Sequence, residues 1–538
     1  MKPKHFTTIL FTGILLITHA EIQAASVRKA PNLIVIMCDD LGYADVGFNG
    51  STDIPTPHID RIAKEGVTCT SGYVSYPVCG PSRAGFITGR YGARFGFERN
   101  PQYTTTDPTM GVPTSERTIA EHLRAVGYTS GIIGKWHLGA ENSLHPNNRG
   151  FDFFYGHLGG GHRYMPEDLV IKDSVSAKNE NESYRTWISR NHEHEPIDQY
   201  LTDEFSDEAV EFVTRNQDKP FFLFLSYNAP HLPLQATQKY LDRFDHIEDT
   251  KRKTYAAMVS AVDDGVGRLL DQLDALDLEQ ETLIFFLSDN GGPTSKNSSQ
   301  NTPLRGSKGD VWEGGFRVPY AVRWTGTLPS GTTFDQPVSS LDILGTISEL
   351  SGSPKDSKRA LDGVNLIPYL TGTAKTKLSK PVFIRKFDNG KWVVRKDDHK
   401  LIAQKDGKNP LVFNVTEDIG ETNNLAKSNP EVLASLESLR QEWDAQLIDP
   451  IFLGLIHTPE WQAKVKRLKR AKANKEWDWF SNLDGNKNGN ITEEEWMNWY
   501  KQSQDTETDL PTQKIYFEER DLDQNGSITR KEFDSHAK

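Results

Sequence analysis

Four short apolar runs are each followed by side chains that can do chemistry. Leu33–Met37 (LIVIM) leads to Asp39 and Asp40, and Ile132–Ile133 leads to Lys135 and His137. Phe221–Leu225 (FFLFL) leads through Asn228-Ala229-Pro230 to His231, and Leu283–Leu287 (LIFFL) leads to Asp289 and Asn290. Runs apolar on both faces read as central strands of a parallel sheet covered by helices. In open α/β sheets, ligands bind beyond the carboxyl ends of the strands. The four runs therefore bring acids, an amide, a lysine and two histidines to one edge, an arrangement that suits catalysis. Cys79-Gly80-Pro81-Ser82-Arg83 lies in a glycine-rich turn leading to a helix. A helix N-terminus and a nearby cation both lower a thiol pKa. Taken alone, Cys79 reads either as a reactive thiol or as an inert buried one.

Two further groups of oxygen ligands lie near the C-terminus. Asp484, Asn486, Asn488, Asn490 and Glu495 are spaced as the ligands of an EF-hand loop, with Gly489 at the turn. Asp521, Asp523, Asn525, Ser527 and Glu532 repeat the pattern around Gly526. The glycine permits the sharp turn, and the last acid binds calcium through both oxygens. Each loop is expected to hold one Ca2+. The first has only Asp484 and Glu495 as charged ligands, so it is expected to bind more weakly. Outside the cytoplasm these loops read as structural rather than signalling.

The elements that must position these groups show in the periodicity. Ile119, Leu123 and Val126 fall at helical spacing, as do Phe205, Ala209, Phe212 and Val213. Met258, Val262, Val266, Leu269 and Leu273 do the same. Strands alternating with helices predict an α/β sheet. Further on, Lys391–Arg395, Lys400–Ala403 and Leu411–Asn414 are short strands between turn residues. They predict a small antiparallel sheet, with a helix near Glu431–Leu447 packed on it. Lys464–Lys475 (KVKRLKRAKANK) reads as a solvated linker helix or as a polyanion-binding stripe. The expected division is a catalytic body over 30–375, the antiparallel sheet over 376–450, a basic linker over 451–475 and an EF-hand pair over 476–538.

At the N-terminus, Lys2 and Lys4, the apolar run Ile9–Ile17, and the small residues Ala20, Ala24 and Ala25 follow the order of a secretory signal. Residues 1–24 are expected to be such a signal, because the apolar run falls well short of the roughly 20 residues a spanning helix needs. The protein is expected to be exported, periplasmic or secreted, with no membrane span. The chain has 538 residues, 36% of them hydrophobic and 10% aromatic, which excludes disorder for most of it. The net charge of −12 argues against a duplex nucleic-acid partner. Three cysteines cannot build a disulfide framework. Cys38 and Cys69 are expected as buried free thiols.

Cys-x-Pro-x-Arg at Cys79–Arg83, followed by Thr88-Gly89-Arg90, resembles the signature of type I sulfatases. Other segments are similar to that family in the same order. Asn32–Gly42 (NLIVIMCDDLG) looks like its first strand and metal acids, and Gly134–Gly139 (GKWHLG) like its Lys-x-His segment. Ala229-Pro230-His231 matches its second histidine, and Ser288–Gly291 (SDNG) its second metal pair. Leu304–Pro319 looks like its loop bearing Lys308, and Asn414–Leu425 like the entry to its C-terminal subdomain.

The resemblance covers roughly residues 30–450 and extends to arylsulfatase-like carbohydrate sulfatases of bacteria. It implies an alkaline-phosphatase-like α/β fold, a mixed sheet with helices on both faces. A small antiparallel C-terminal sheet subdomain and a helical EF-hand tail follow. It further implies that a maturation enzyme oxidises Cys79 to formylglycine. Asp39, Asp40, Asp289, Asn290 and an oxygen on residue 79 would then hold a Ca2+ ion. By the same resemblance, Arg83 holds the nucleophilic oxygen and Lys135 and Lys308 clamp the sulfate. His231, as imidazolium, protonates the leaving oxygen. His137 takes a proton from the second hydroxyl, so that sulfate leaves and the aldehyde returns.

The substrate class implied is a sulfated polysaccharide or its oligosaccharides. Algal galactans such as carrageenan rank first, then ulvan and glycosaminoglycans. Gly159–Tyr164 (GGGHRY), Arg94, Arg99 and residues 191–195 are candidates for the pocket wall. His162 and Arg163 read either as contacts for a second anionic group or as solvated loop residues. Two other functions compete: a phosphate or phosphonate monoester hydrolase of the same superfamily, and a calcium-dependent glycan-binding protein whose catalytic body is dead.

Overall fold

The apolar runs form the centre of a mixed sheet. The computed structural model describes residues 30–354, 356–459, 462–463, 480, 483–503, and 517–535 except 519, 522 and 524. The export signal and the basic run at 464–475 lie outside the described residues. Among the described residues, ten strands pair in one sheet. Their order in space is Thr332–Phe334, Val67–Cys69, Tyr320–Arg323, Thr282–Ser288, Asn32–Cys38, Phe221–Ser226, Thr129–Lys135, Phe153–His157, Ile188–Arg190 and Glu193–Glu195. The five strands from Thr282–Ser288 to Phe153–His157 run parallel. Tyr320–Arg323 pairs antiparallel beside them, so the sheet is mixed, as the resemblance implied. Short strands complete both edges.

Alternate residues of the central strands feed two cores. Leu33, Val35, Met37, Phe222, Phe224, Phe285 and Leu287 face one side, against helices Cys79–Thr88, Ile119–Arg124 and Leu341–Ser351. Ile34, Ile36, Leu223, Leu225, Ile284 and Phe286 face the other, against Pro57–Lys64, Leu201–Arg215 and Thr250–Ala275. This two-sided burial is why the runs carry no polar alternation. Burying each such side chain contributes about 1.5–3 kcal/mol before the entropy of ordering is charged. No helix among the described residues is long and apolar enough to cross a membrane.

A separate four-stranded antiparallel sheet follows the order Val382–Lys386, Lys391–Lys396, His399–Gln404, Leu411–Asn414. One face packs on helix Pro430–Asp444 through Trp392, Val394, Leu401, Leu436 and Trp443. The other joins the main core through Ile384, Val393, Ile402 and Phe413. At the C-terminus the two acidic loops pair as a short ribbon, with Ile491 opposite Ile528 over a small core of Phe480, Leu483, Trp496 and Phe517.

The four-stranded sheet is also pinned to the body by buried charge. Lys400 Nζ lies 3.0 Å from Glu313 and 2.7 Å from Glu421, all three without solvent exposure. Burial alone would raise the Glu313 pKa, but Lys400, Arg317 and Arg395 outweigh it and hold it at about 2. Removing one member of such a cluster leaves the others desolvated and unpaired. Lys400→Met is expected to destabilise the protein by about 3–5 kcal/mol in denaturant unfolding. An unchanged midpoint would show that the two carboxylates do not depend on this lysine.

Candidate active site

The carboxyl ends of the parallel strands meet at one edge. Asp39 and Asp40 follow Cys38, Lys135 ends its strand with His137 just beyond, and Asp289 and Asn290 follow Ser288. Backbone bonds lock the edge: Asp39 N donates to Ala229 O and Asp289 N to Cys38 O. Gly134 has φ +108°, and a Cβ there would lie 1.9 Å from Ser226 O, so only glycine lets these neighbours approach. Asp40 and His137 also have positive φ, at 67° and 57°. Backbone strain of this kind persists only where its surroundings enforce it, and it gathers at functional sites.

Asp39, Cys79 and Asp289 bring ligand atoms within 4.8 Å of one another, as do Asp39, Asp40 and His231. Lys135 Nζ lies 2.6 Å from Asp39 Oδ2, and Lys308 Nζ lies 2.6 Å from Asp40 Oδ1. Arg83 Nε donates to Asp289 Oδ2 at 2.8 Å, and its Nη1 donates to Ser226 Oγ at 2.6 Å. Asn290 Nδ2 donates to Asp40 Oδ1 at 2.7 Å. The ten residues expected at this centre therefore share one edge. Lys308, on a long loop, is held there by its N–H to Gly292 O and by Gly309 N–H to Pro77 O. Ser226 and Asn100, whose Oδ1 accepts from Gly80 N, were not foreseen. Neither lies in a sequence motif, because both act through long-range contacts.

The donor set fits a hard divalent cation. Asp39 Oδ1 and Asn290 Oδ1 are buried and accept no hydrogen bond among the described residues. Two orphan oxygens among three buried acids match the ligand chemistry of calcium. Asp289 is pushed up to about 6 by burial and by Asp39, against Arg83 and Lys135. Asp40 is held at about 2, where Lys308 and His231 outweigh the effect of burial.

One open reading is settled and one expectation changes. Cys79 opens helix Cys79–Thr88 but is 2% exposed, and burial pushes its thiol up despite Lys135 and Lys308. The unmodified side chain is thus no reactive thiolate. His231 is driven to about 3, by burial and then by Lys308 and Lys135 against Asp40. Its resting form is the neutral ring, not the expected imidazolium. Nδ1 donates to Leu232 O, leaving Nε2 to face Asp40 at 3.6 Å. His137 is also held neutral, by burial and then Lys135.

Several supposed pocket residues serve the fold instead. Arg94 forks onto Asp362 and Arg99 onto Asp388. His162 is fully buried between Arg163 O and Thr186 Oγ1, and His194 bonds Ser174. Cys38 and Cys69 are buried free thiols, as expected.

In the C-terminal ribbon, Gly489 and Gly526 take φ of 88° and 83°, as the loop turn requires. Asp484 accepts from the N–H groups of Asn488 and Gly489, and Asp521 from those of Asn525 and Gly526. Asp521, Asp523 and Glu532 lie within 4.8 Å of one another.

Comparison with known proteins agrees with this geometry. Residues 478–498 match the EF-hand family. N-acetylgalactosamine-6-sulfatase of Canis lupus familiaris is 33% identical over 397 residues, covering 70% of this chain and 72% of that protein. The crystal structure of Ps i-CgsB in complex with k-i-k-neocarrahexaose is 38% identical, with a TM-score of 0.75 over 84% of this chain and 99% of that one. The structure of PsFucS1 sulfatase from Pseudoalteromonas sp. is 28% identical, with a TM-score of 0.67 over 78% of this chain and 90% of that one. Residues 31–353 match the Sulfatase family, and with an edge that gathers its acids, lysines and Cys79, the chain belongs to that family of sulfuric ester hydrolases.

Proposed function

We propose that this sulfatase is an exported, calcium-dependent enzyme that removes sulfate from a galactan of the carrageenan kind. One observation carries the chemistry: Asp39, Asp289 and Cys79 converge while two lysines and Arg83 point at the same spot. The substrate class is supported by the likeness to a protein crystallised with k-i-k-neocarrahexaose.

A formylglycine made from Cys79 by a maturation enzyme supplies a hydrated aldehyde, with one hydroxyl to attack sulfur and a second to let the aldehyde return. Asp39, Asp40, Asp289 and Asn290 would hold a calcium ion, which would supply positive charge to polarise the sulfate. Arg83 has a buried Nη2 with no partner among the described residues, free to hold an oxygen on residue 79. Lys135 and Lys308 turn from the acids to the sulfate oxygens and offset charge that develops there. Burial and then the two lysines depress His231; the anionic ester counters the lysines, so Nε2 takes up a proton and passes it to the leaving oxygen. His137, neutral in this site, accepts a proton from the second hydroxyl. The EF-hand loops hold two more calcium ions, through Asp484, Asn486, Asn488, Asn490 and Glu495, and through Asp521, Asp523, Asn525, Ser527 and Glu532.

Enzyme produced with a formylglycine-forming partner is expected to release sulfate from carrageenan oligosaccharides in preference to ulvan or glycosaminoglycan fragments. Cys79→Ala should abolish that release in a folded protein. Release from glycosaminoglycans alone would overturn the substrate class. Full turnover by the alanine variant would overturn the mechanism.

His231→Ala is expected to slow sugar sulfates by about 10²–10⁴-fold, but aryl sulfates far less, because a good leaving group needs little protonation. Equal losses on both would remove His231 from the acid role.

A further inference from the structure

Gly159-Gly160-Gly161 has no side chains because other groups stand where they would be. A Cβ on Gly159 would lie 2.5 Å from Ser183 Oγ, and one on Gly161 2.7 Å from the Tyr184 hydroxyl. A Cβ on Gly160 would lie 2.5 Å from Glu180 Oε1 and 2.9 Å from His137 Nε2. The glycine run is therefore the seat of the segment from Glu180 to Tyr184, which it holds against the catalytic edge. Glu180 Oε1 accepts from Gly160 N at 2.8 Å. The Tyr184 ring stands edge-on to His231, with centroids 6.5 Å apart. Both residues are half-buried.

Position gives this wall its meaning. The sulfate end of the site is lined by Lys135, Lys308, Arg83 and residue 79. The ester oxygen must sit at His231 Nε2 to be protonated, so the sugar it belongs to meets the Tyr184 ring, whose segment also carries Glu180. A carboxyl group there accepts a hydrogen bond from a hydroxyl. A sulfate at the same place offers no hydrogen for such a bond.

Resting on the galactan reading above, we propose that Glu180 accepts a hydrogen bond from a free hydroxyl beside the sulfated carbon, with Tyr184 covering that sugar. The enzyme thereby selects residues sulfated once over residues sulfated at both neighbouring carbons.

The test compares kcat/KM of the full-length enzyme and of Glu180→Ala and Glu180→Gln on three substrates. These are a singly sulfated galactan disaccharide with the neighbouring hydroxyl free, its deoxy analogue at that carbon, and 4-nitrophenyl sulfate. Glu180→Ala is expected to lose about 100-fold on the first substrate, as a site built for a hydroxyl loses when the pair is broken. Losses on the other two should be no more than a few-fold. Glu180→Gln, which retains an acceptor oxygen, should fall between wild type and Glu180→Ala. Equal losses on all three substrates would make Glu180 a positioning partner of His137 and overturn the proposal. So would wild-type rates on the hydroxyl-bearing disaccharide. Wild-type enzyme that cleaves the aryl sulfate but no galactan would instead sink the substrate reading, and this inference with it.

Discussion

Three buried carboxylates at one sheet edge repel one another unless cations stand among them. Asp39 and Asp289 are fully buried and Asp40 nearly so. Taking one such ion out of water costs several kcal/mol even after relaxation, so each needs a close positive partner. Arg83, Lys135 and Lys308 supply that charge from three different parts of the chain. The same three cations are what an incoming sulfate needs. One electrostatic demand thus holds the edge together and prepares it for an anion.

The fold meets this demand through close backbone approach. Parallel strands end together at one edge, and Gly134 lets two of them close up where a Cβ would strike Ser226. Positive φ at Asp40 and His137 turns the chain sharply at the strand ends. Burial then decides the protonation states. It leaves Cys79 a thiol, against what the nearby lysines and a helix terminus suggest in isolation, and together with Lys135 and Lys308 it holds both histidines neutral. A thiol so masked is poorly suited to attack.

Much of this was legible in the sequence because the central strands are buried on both faces. Leu33–Met37, Phe221–Leu225 and Leu283–Leu287 can be nothing but interior, and the chemistry sits just after them. Phe153–His157 and Val382–Lys386 escaped notice. Each mixes aromatic, glycine or charged residues whose burial depends on distant partners. Arg94 and Arg99 looked like ligand contacts, since a basic side chain's partner is invisible without the fold; Asp362 and Asp388 lie far along the chain. The glycine run was visible, but its purpose was not. Its meaning comes from Ser183, Glu180 and Tyr184, packed onto it by tertiary contact.

The dependence of the edge on a cation is open to direct measurement. In a Glu495→Gln/Glu532→Gln protein both EF-hand loops lose their bidentate acid, so calcium that remains reports on the catalytic edge. Calcium content and sulfate release should be measured together on this protein, before and after chelation. Expected is one tightly bound calcium per chain, with sulfate release lost on its removal and regained on its return. Full sulfate release from the calcium-free protein would contradict the assignment of Asp39, Asp40, Asp289 and Asn290 as its ligands.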